Sequence, residues 1–393
     1  MTISKLEYDK RLVKVRERMS VQGLSGILVC DPANLYYLIG YNAWSFYTPQ
    51  FLFVPIEGNL IFFAREMDAR GAFHTAWLSQ ESVVGYPETY VHRTDRHPFD
   101  WAGAVLRDQG CLDSGSRVGV ELDAHFFSPK AYFSLVAALP EWELVDSRDL
   151  VNWVRLVKSP SEIDLMRAAA TVTNAAMQAA IEHIRVGARQ CDVAAQISRA
   201  QCSGTAKYGG DYPAIVPMLP TGEAASAPHL TWTNREFVDD EAVVVEIAGV
   251  HQRYHAPLAR TIMLGRPSAA LQSLAAATGE GIEAVLGTVR AGISARELAS
   301  VWNAEISKHG LEKASRIGYS IGIGYPPDWG ERTVSLRVEE DTVLQENMTF
   351  HLICGMWMDN YGYEVSEPIR VTVDGVEIFT DVPRGLISKG VRS

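Results

Sequence analysis

Residues 241–261, EAVVVEIAGVHQRYHAPLART, place ionisable side chains inside segments that otherwise read as buried strand. Glu246 interrupts the apolar run VVVEIAG, a His-rich connection containing Gly249, His251 and His255 follows, and a second extended piece ends in ART. An inward polar group on an apolar strand costs free energy unless it is partnered, so each such residue needs a structural or a chemical reason. The chemistry open to them is acid–base and nucleophilic: a His near neutral pKa moves protons, and a Glu activates water or attacks an electrophile directly. A second cluster, YLIGYNAWSFYTPQF (37–51), gathers aromatic rings. Their faces attract delocalised cations such as guanidinium and amidinium by roughly 0.5–2 kcal/mol each. A buried aromatic core or a subunit contact is the other reading of that cluster.

The elements that position these residues fall into two domains, 1–155 and 156–393. Residues in the first alternate helix-like and strand-like stretches: a helix around 5–20, then GILVC (26–30), LIFFA (60–64), RVGVE (117–121) and WELVD (142–146). That alternation predicts a small α/β domain. The second opens at VRLVKSPSEIDLMRAA (154–169), where Ser159 is the predicted N-cap, Pro160 stands at N1 and Glu162 completes a capping box. Ile163, Met166, Ala170, Met177, Ile181 and Ile184 keep helical spacing, and Gly187 is expected to end the helix. Ser294 and Glu297 mark a second such start.

At 393 residues the chain suffices for two domains with well-buried cores. Its net charge of −11 argues against nucleic-acid and anionic-membrane partners, which select for basic surface. Five cysteines without CxxC pairs suggest reduced thiols rather than a disulfide framework. MTISKLEYDKRL has no apolar leader region, and no apolar run approaches the roughly 18 residues of a membrane span. A cytoplasmic protein is expected.

Residues 241–261 resemble the first hairpin of the pita-bread hydrolases, the superfamily of methionine aminopeptidase, prolidase, aminopeptidase P and creatinase. In the metal-dependent members that hairpin carries two Asp ligands, at the spacing that here separates Glu246 from Pro257. RIGYSIGIGYPP (316–327) is similar to the family's GHGIG-type segment, with Tyr319 in place of the metal-binding His. ENMTFHLICG (346–355) puts Ile353 in place of a Glu ligand, and EVSEPIRVTVDG (364–375) puts Ser366 in place of the last one. Glu367 is one residue away, so a slip of one would restore a carboxylate there. Catalytic divalent ions need about four or more donors converging at about 2 Å. One Glu and one Tyr do not supply them, so the resemblance implies a member with no metal and no cofactor.

The superfamily has a metal-free branch, creatinase, whose PH…TNR segment is similar to APHLTWTNRE (227–236). That similarity makes His229 the general acid/base, with Glu246 and Tyr319 completing the implied catalytic set. The acidic residues that hold creatinase's guanidinium substrate fall at Ala259 and Ile353, which argues against creatine. In creatinase an N-terminal aromatic segment reaches the partner subunit's active site. Phe46 aligns with its aromatic residue, flanked by Trp44 and Tyr47, so substrate contacts by these three and a homodimer with a shared site are implied. Trp329, in PPDWGER, lies where the metal enzymes have their second catalytic His region and would wall the pocket. Residues two apart on a strand share a face. If the lost ligand positions face the pocket, so do His255 beside Pro257, His351 beside Ile353 and Glu364 beside Ser366. For His255 and His351, a buried hydrogen-bond network left by metal loss is the alternative.

A His–Glu pair between aromatic walls suits hydrolysis of a planar carbon that is already electrophilic. A cationic amidine or guanidine needs no Lewis acid, whereas a peptide carbonyl usually does. The motif set EIAGVHQRYHAPLART, GYSIGIGYPPDWGE and YEVSEPIRVT is most similar to the ectoine hydrolases. This implies a small zwitterionic cyclic amidine, ectoine, as substrate and N-acetyl-L-2,4-diaminobutyrate as product. Two other readings stay open: a creatinase-like amidinohydrolase or lyase acting on another small zwitterion, and a non-catalytic pita-bread binding module of the histone-chaperone kind. The fold class expected throughout is α/β (α+β), a creatinase/prolidase-type N-terminal domain followed by a pita-bread domain.

Overall fold

The computed structural model describes residues 3–390. The chain forms two compact units, Met1–Arg155 and Leu156–Ser393.

In the first unit, β1 (Gly26–Val29), β2 (Phe51–Pro55), β3 (Ile61–Arg65), β4 (Val83–Tyr86), β5 (Arg117–Val120) and β6 (Glu143–Asp146) form one mixed sheet. Their order is β4-β3-β2-β1-β5-β6. β1, β3, β5 and β6 are the strands expected from the sequence. β2, whose FLFVP continues the aromatic run, and the short, half-buried β4 are additions. Helices Pro98–Asp108 and Pro129–Ala138 cover the sheet, placing Phe99, Leu106 and Leu135 in one core with Phe51, Phe53 and Val118.

The second unit opens with the helix Pro160–His183. Ser159 Oγ accepts from the Glu162 N–H, and the Glu162 carboxylate accepts from the Ser159 N–H, a reciprocal capping box. Ser294 and Glu297 cap Ala295–Ser307 in the same way. The first helix ends before Gly187, at His183, because Ile184 turns to extended backbone and buries its side chain in the core. Gly187, at φ 79°, serves the turn beyond.

The strands of this unit are β7 (Glu241–His251), β8 (Tyr254–Leu264), β9 (Gly318–Tyr325), β10 (Asp328–Ser335), β11 (Thr349–Trp357), β12 (Gly362–Val371), β13 (Val376–Ile378) and β14 (Ile387–Lys389). They run in the order β13-β12-β11-β9-β8-β14, with β7 on β8 and β10 on β9. β7 and β8 pair without slippage from Glu241↔Leu264 to His251↔Tyr254. The connection is therefore Gln252-Arg253 alone, much shorter than the His-rich loop expected, and both residues have positive φ (47° and 64°). Such a pair matches the right-handed twist of the flanking strands.

Val243, Val245 and Ile247 pack on Ala176, Met177 and Ala180 of the helix, so alternation turns Glu246 to the opposite face of β7. Gly249 belongs to the strand, not to the turn. A Cβ there would meet Thr173 N at 2.2 Å and Ala169 O at 2.6 Å, so glycine lets the helix approach the hairpin this closely. Among the described residues, no helix is long and apolar enough to cross a membrane.

Candidate active site

The face of β7 that carries Glu246 opens on a cavity of about 540 Å³, a size typical of small-molecule sites. Glu246 from β7, Tyr319 from β9, Ile353 from β11 and His229 from the preceding loop line it together. Met218 runs along the free edge of β7 and exchanges backbone hydrogen bonds with Glu246 (3.0 and 3.1 Å), which fixes the backbone that carries the carboxylate.

Glu246 is 4% exposed, and among the described residues its carboxylate has neither a hydrogen-bond donor nor a counter-ion. Burial raises its pKa well above the usual range, and the charges of Glu364 and Asp328 push the same way. His229 is exposed and sits in left-handed backbone (φ 65°), a conformation His tolerates better than most residues. Its loop is tied down where the Leu219 N–H donates to the Leu230 carbonyl (3.1 Å).

Tyr319 is held from behind. Its hydroxyl accepts from Trp329 Nε1–H (2.8 Å) and lies 3.0 Å from His351 Nδ1. The Arg316 guanidinium stacks 4.3 Å from the ring centroid. Burial and then Glu246 push the phenol well above its ordinary pKa. Register explains the grouping: Tyr319 pairs with His351 across β9 and β11, and Ile353 pairs with Ser366 across β11 and β12.

Four residues expected to face substrate do not line the cavity. His255 is fully buried; its Nε2 accepts the Ala214 N–H (2.9 Å), so Nδ1–H donates to the Arg253 carbonyl (2.8 Å). Beside it the Arg253 guanidinium lies between the Tyr212 and Tyr325 rings (4.0 and 4.4 Å) and donates to the carbonyls of Tyr212 and Gly324. His255 and Arg253 thus strut the 212–218 segment, which supplies Ile215 and Met218 to the cavity wall. His351 and Trp329 stand behind Tyr319, both fully buried.

Glu364 is buried beyond the lining, with its Oε1 unpartnered. Burial raises its pKa against the pull of Lys313, whose ammonium lies 4.5 Å from the Trp357 ring centroid. The one-residue slip on β12 does not occur. Glu367 points to the other face, where it accepts from Arg260 Nη2 and Thr380 Oγ1 (both 2.6 Å).

The N-terminal aromatics divide. Phe46 is buried against Trp44 and Phe126 within its own unit, with ring centroids 5.0 and 5.1 Å away, whereas Trp44 and Tyr47 are exposed.

Residues 11–157 match the creatinase/prolidase N-terminal domain, and residues 164–379 match metallopeptidase family M24. The chain belongs to family M24. This M24 chain is 42% identical to the ectoine hydrolase of Halomonas elongata over 98% of its own length and 97% of that protein's. It is 40% identical to y4tM of Sinorhizobium fredii, an uncharacterized hydrolase/peptidase, over 98% of both. Its fold is that of a prolidase from Thermococcus sibiricus, with a TM-score of 0.83 at 18% identity over 99% of this chain and 100% of that one. It is a hydrolase with a creatinase-type N-terminal domain and a pita-bread C-terminal domain.

The five residues that the resemblance places at M24 metal positions do not fit a dinuclear centre. Pro257 and Ile353 carry no donor atom. The Tyr319 hydroxyl is engaged by Trp329 and His351, and Ser366 Oγ by the Ala259 N–H (2.6 Å) and His351 Nε2 (2.7 Å). Among the described residues, no three His, Cys, Asp or Glu side chains converge as a metal site requires.

The M24 cavity also contains residues that sequence reasoning missed: Arg316, Asp328 and Trp357. Each comes from a strand end or the loop before a strand, where alternation gives no direction. The only signal is proximity, since Arg316 lies three residues before Tyr319 and Asp328 follows the Pro-Pro pair.

Proposed function

We propose that this M24 hydrolase opens the cyclic amidine ring of ectoine to N-acetyl-L-2,4-diaminobutyrate without a metal. The observation that carries the reading is Glu246, a buried carboxylate on a small cavity with no cation beside it among the described residues. An amidinium supplies the missing charge and draws the pKa of Glu246 back down as it binds. Arg316, exposed on the cavity and without a carboxylate in ion-pair range among the described residues, answers the negative pole of a zwitterion. The 42% identity to an ectoine hydrolase supports the choice of substrate.

In this reading a Glu246 oxygen bonds to the amidine carbon. One ring C–N bond then breaks as His229 protonates the departing nitrogen. Water adds to the same carbon and expels the carboxylate, which leaves the acetamide of the product and restores Glu246. Incubation of the purified protein with ectoine and EDTA, followed by NMR, tests the proposal. Ring opening should proceed at the rate seen without chelator. Stoichiometric zinc, manganese or iron together with loss of activity on chelation would refute metal independence.

Arg316→Gln should raise KM for ectoine about 10–100-fold, the worth of a hydrogen bond to a charged group, and leave kcat nearly unchanged. An unaltered KM would remove Arg316 from the substrate's carboxylate.

The exposed Trp44 and Tyr47 fit the homodimer with a shared site that the creatinase resemblance implies. Subunits carrying Trp44→Ala and Glu246→Gln, each impaired alone, should regain activity in mixed dimers, because one of the two sites is then intact. Proven heterodimers without recovery would rule out sharing.

A further inference from the structure

Ser366 and Tyr319 occupy lost metal positions, yet both are wired to one buried histidine. His351 Nδ1 lies 3.0 Å from the Tyr319 hydroxyl, and Nε2 lies 2.7 Å from Ser366 Oγ. Ser366 Oγ also accepts the Ala259 N–H at 2.6 Å, and Tyr319 Oη accepts Trp329 Nε1–H at 2.8 Å. These four contacts are the only hydrogen bonds of the two hydroxyls among the described residues. His351 is fully buried and, among the described residues, its ring nitrogens meet only these two hydroxyls and no carboxylate, so the ring is neutral and carries a single N–H; burial, then Arg316, lowers its pKa in the same sense.

The position of that hydrogen can be deduced. If it is on Nε2, it donates to Ser366 Oγ, which then accepts twice and has no acceptor for its own proton. Ser366 is completely buried, so that orphaned donor carries the full cost of desolvation. If it is on Nδ1, Ser366 donates to Nε2 and is satisfied. Tyr319 Oη then accepts twice, from Trp329 and His351, and its own proton is the one left over. Tyr319 lines the cavity, where water or substrate takes that proton at little cost. The second arrangement leaves no buried donor unpaired.

We infer that Ser366 and His351 are positioning residues that turn the Tyr319 hydroxyl proton into the cavity. Tyr319 thereby becomes a fixed hydrogen-bond donor to a substrate nitrogen as its lone pair develops. The donor is aimed before substrate arrives, so no reorientation is needed during reaction. The orientation stands on the hydrogen bonds and on the burial of the His351 ring. Only its use in turnover rests on the ring-opening reading above.

The test has two arms. In the first, the 15N spectrum of the substrate-free, full-length protein labelled at histidine, with His351 assigned by its loss in His351→Gln, should show Nδ1 protonated and Nε2 bare. A proton on Nε2 overturns the inference whatever the protein's substrate. In the second, Tyr319→Phe and Ser366→Ala should each lower kcat on ectoine about 10–100-fold with little change in KM. The double variant should be no slower than Tyr319→Phe, and Ser366→Thr, which keeps the hydroxyl, should recover most of the rate. Additive losses, or full kcat in Tyr319→Phe, would overturn it. If the wild-type protein leaves ectoine intact while His351 carries its proton on Nδ1, the ring-opening reading fails and the oriented hydroxyl survives.

Discussion

Glu246→Gln should fold normally and lose ring opening by more than about 10⁴-fold, the scale on which removal of a nucleophile or its activating partner acts. Gln keeps the shape and, under the proposed mechanism, removes both the charge that would balance an amidinium and the oxygen that would attack it. Glu246→Asp should stay impaired for a different reason. The charge remains, but the side chain loses one C–C bond of reach, about 1.5 Å, from a backbone that Met218 holds in place. Mass spectrometry of the Glu246 peptide under turnover should reveal a substrate adduct, and a persistent absence of one would favour attack by an activated water. The proposed mechanism needs the ionised carboxylate, so the rate should fall as pH drops through the pKa of Glu246. The negative charge of Glu364 raises that pKa. Glu364→Gln should therefore move the acid limb of the kcat/KM profile to lower pH. Full activity in Glu246→Gln would sink the mechanism.

His229→Ala should reduce turnover about 10²–10⁴-fold, the usual worth of a positioned general acid/base. The side chain is exposed on the cavity and packs in no core, so unfolding temperature and circular dichroism should barely change. Its backbone is left-handed, however, and Ala tolerates φ near 65° less well than His does. His229→Asn removes the ring while keeping that tolerance. It should be equally slow, which separates lost chemistry from a displaced loop. Near-normal turnover in both would make His229 a wall residue.

The sequence legibly carried the hairpin, the capped helices and the face on which each strand residue sits, because apolar runs and alternation are local. Depth was not legible. Alternation groups His255 with Pro257 and Glu364 with Ser366, but it is silent on whether a side chain reaches the cavity or stops behind another. Trp329 and His351 lie one layer back for that reason. The turn at Gln252-Arg253 was invisible, since neither residue advertises positive φ as Asn-Gly would. The early end of the helix at His183 was decided by where Ile184 could be buried, a tertiary fact. Arg316 entered through the stacking of its guanidinium on Tyr319, which no spacing rule anticipates. The choice between Ser366 and Glu367 was settled by Arg260, a partner 106 positions from the first of them along the chain.

The wall of the cavity is anchored at the tip of the hairpin, by Arg253 between two tyrosine rings and by the grip of His255 on the Ala214 amide. None of these anchors stands at a position that the family resemblance assigns to a metal ligand. The container and the candidate reagents are therefore built from different residues of this polypeptide. Exchanges at 246, 257, 319, 353 and 366 would leave these anchors in place, so the reacting groups can be altered one by one while the vessel that holds them stays fastened.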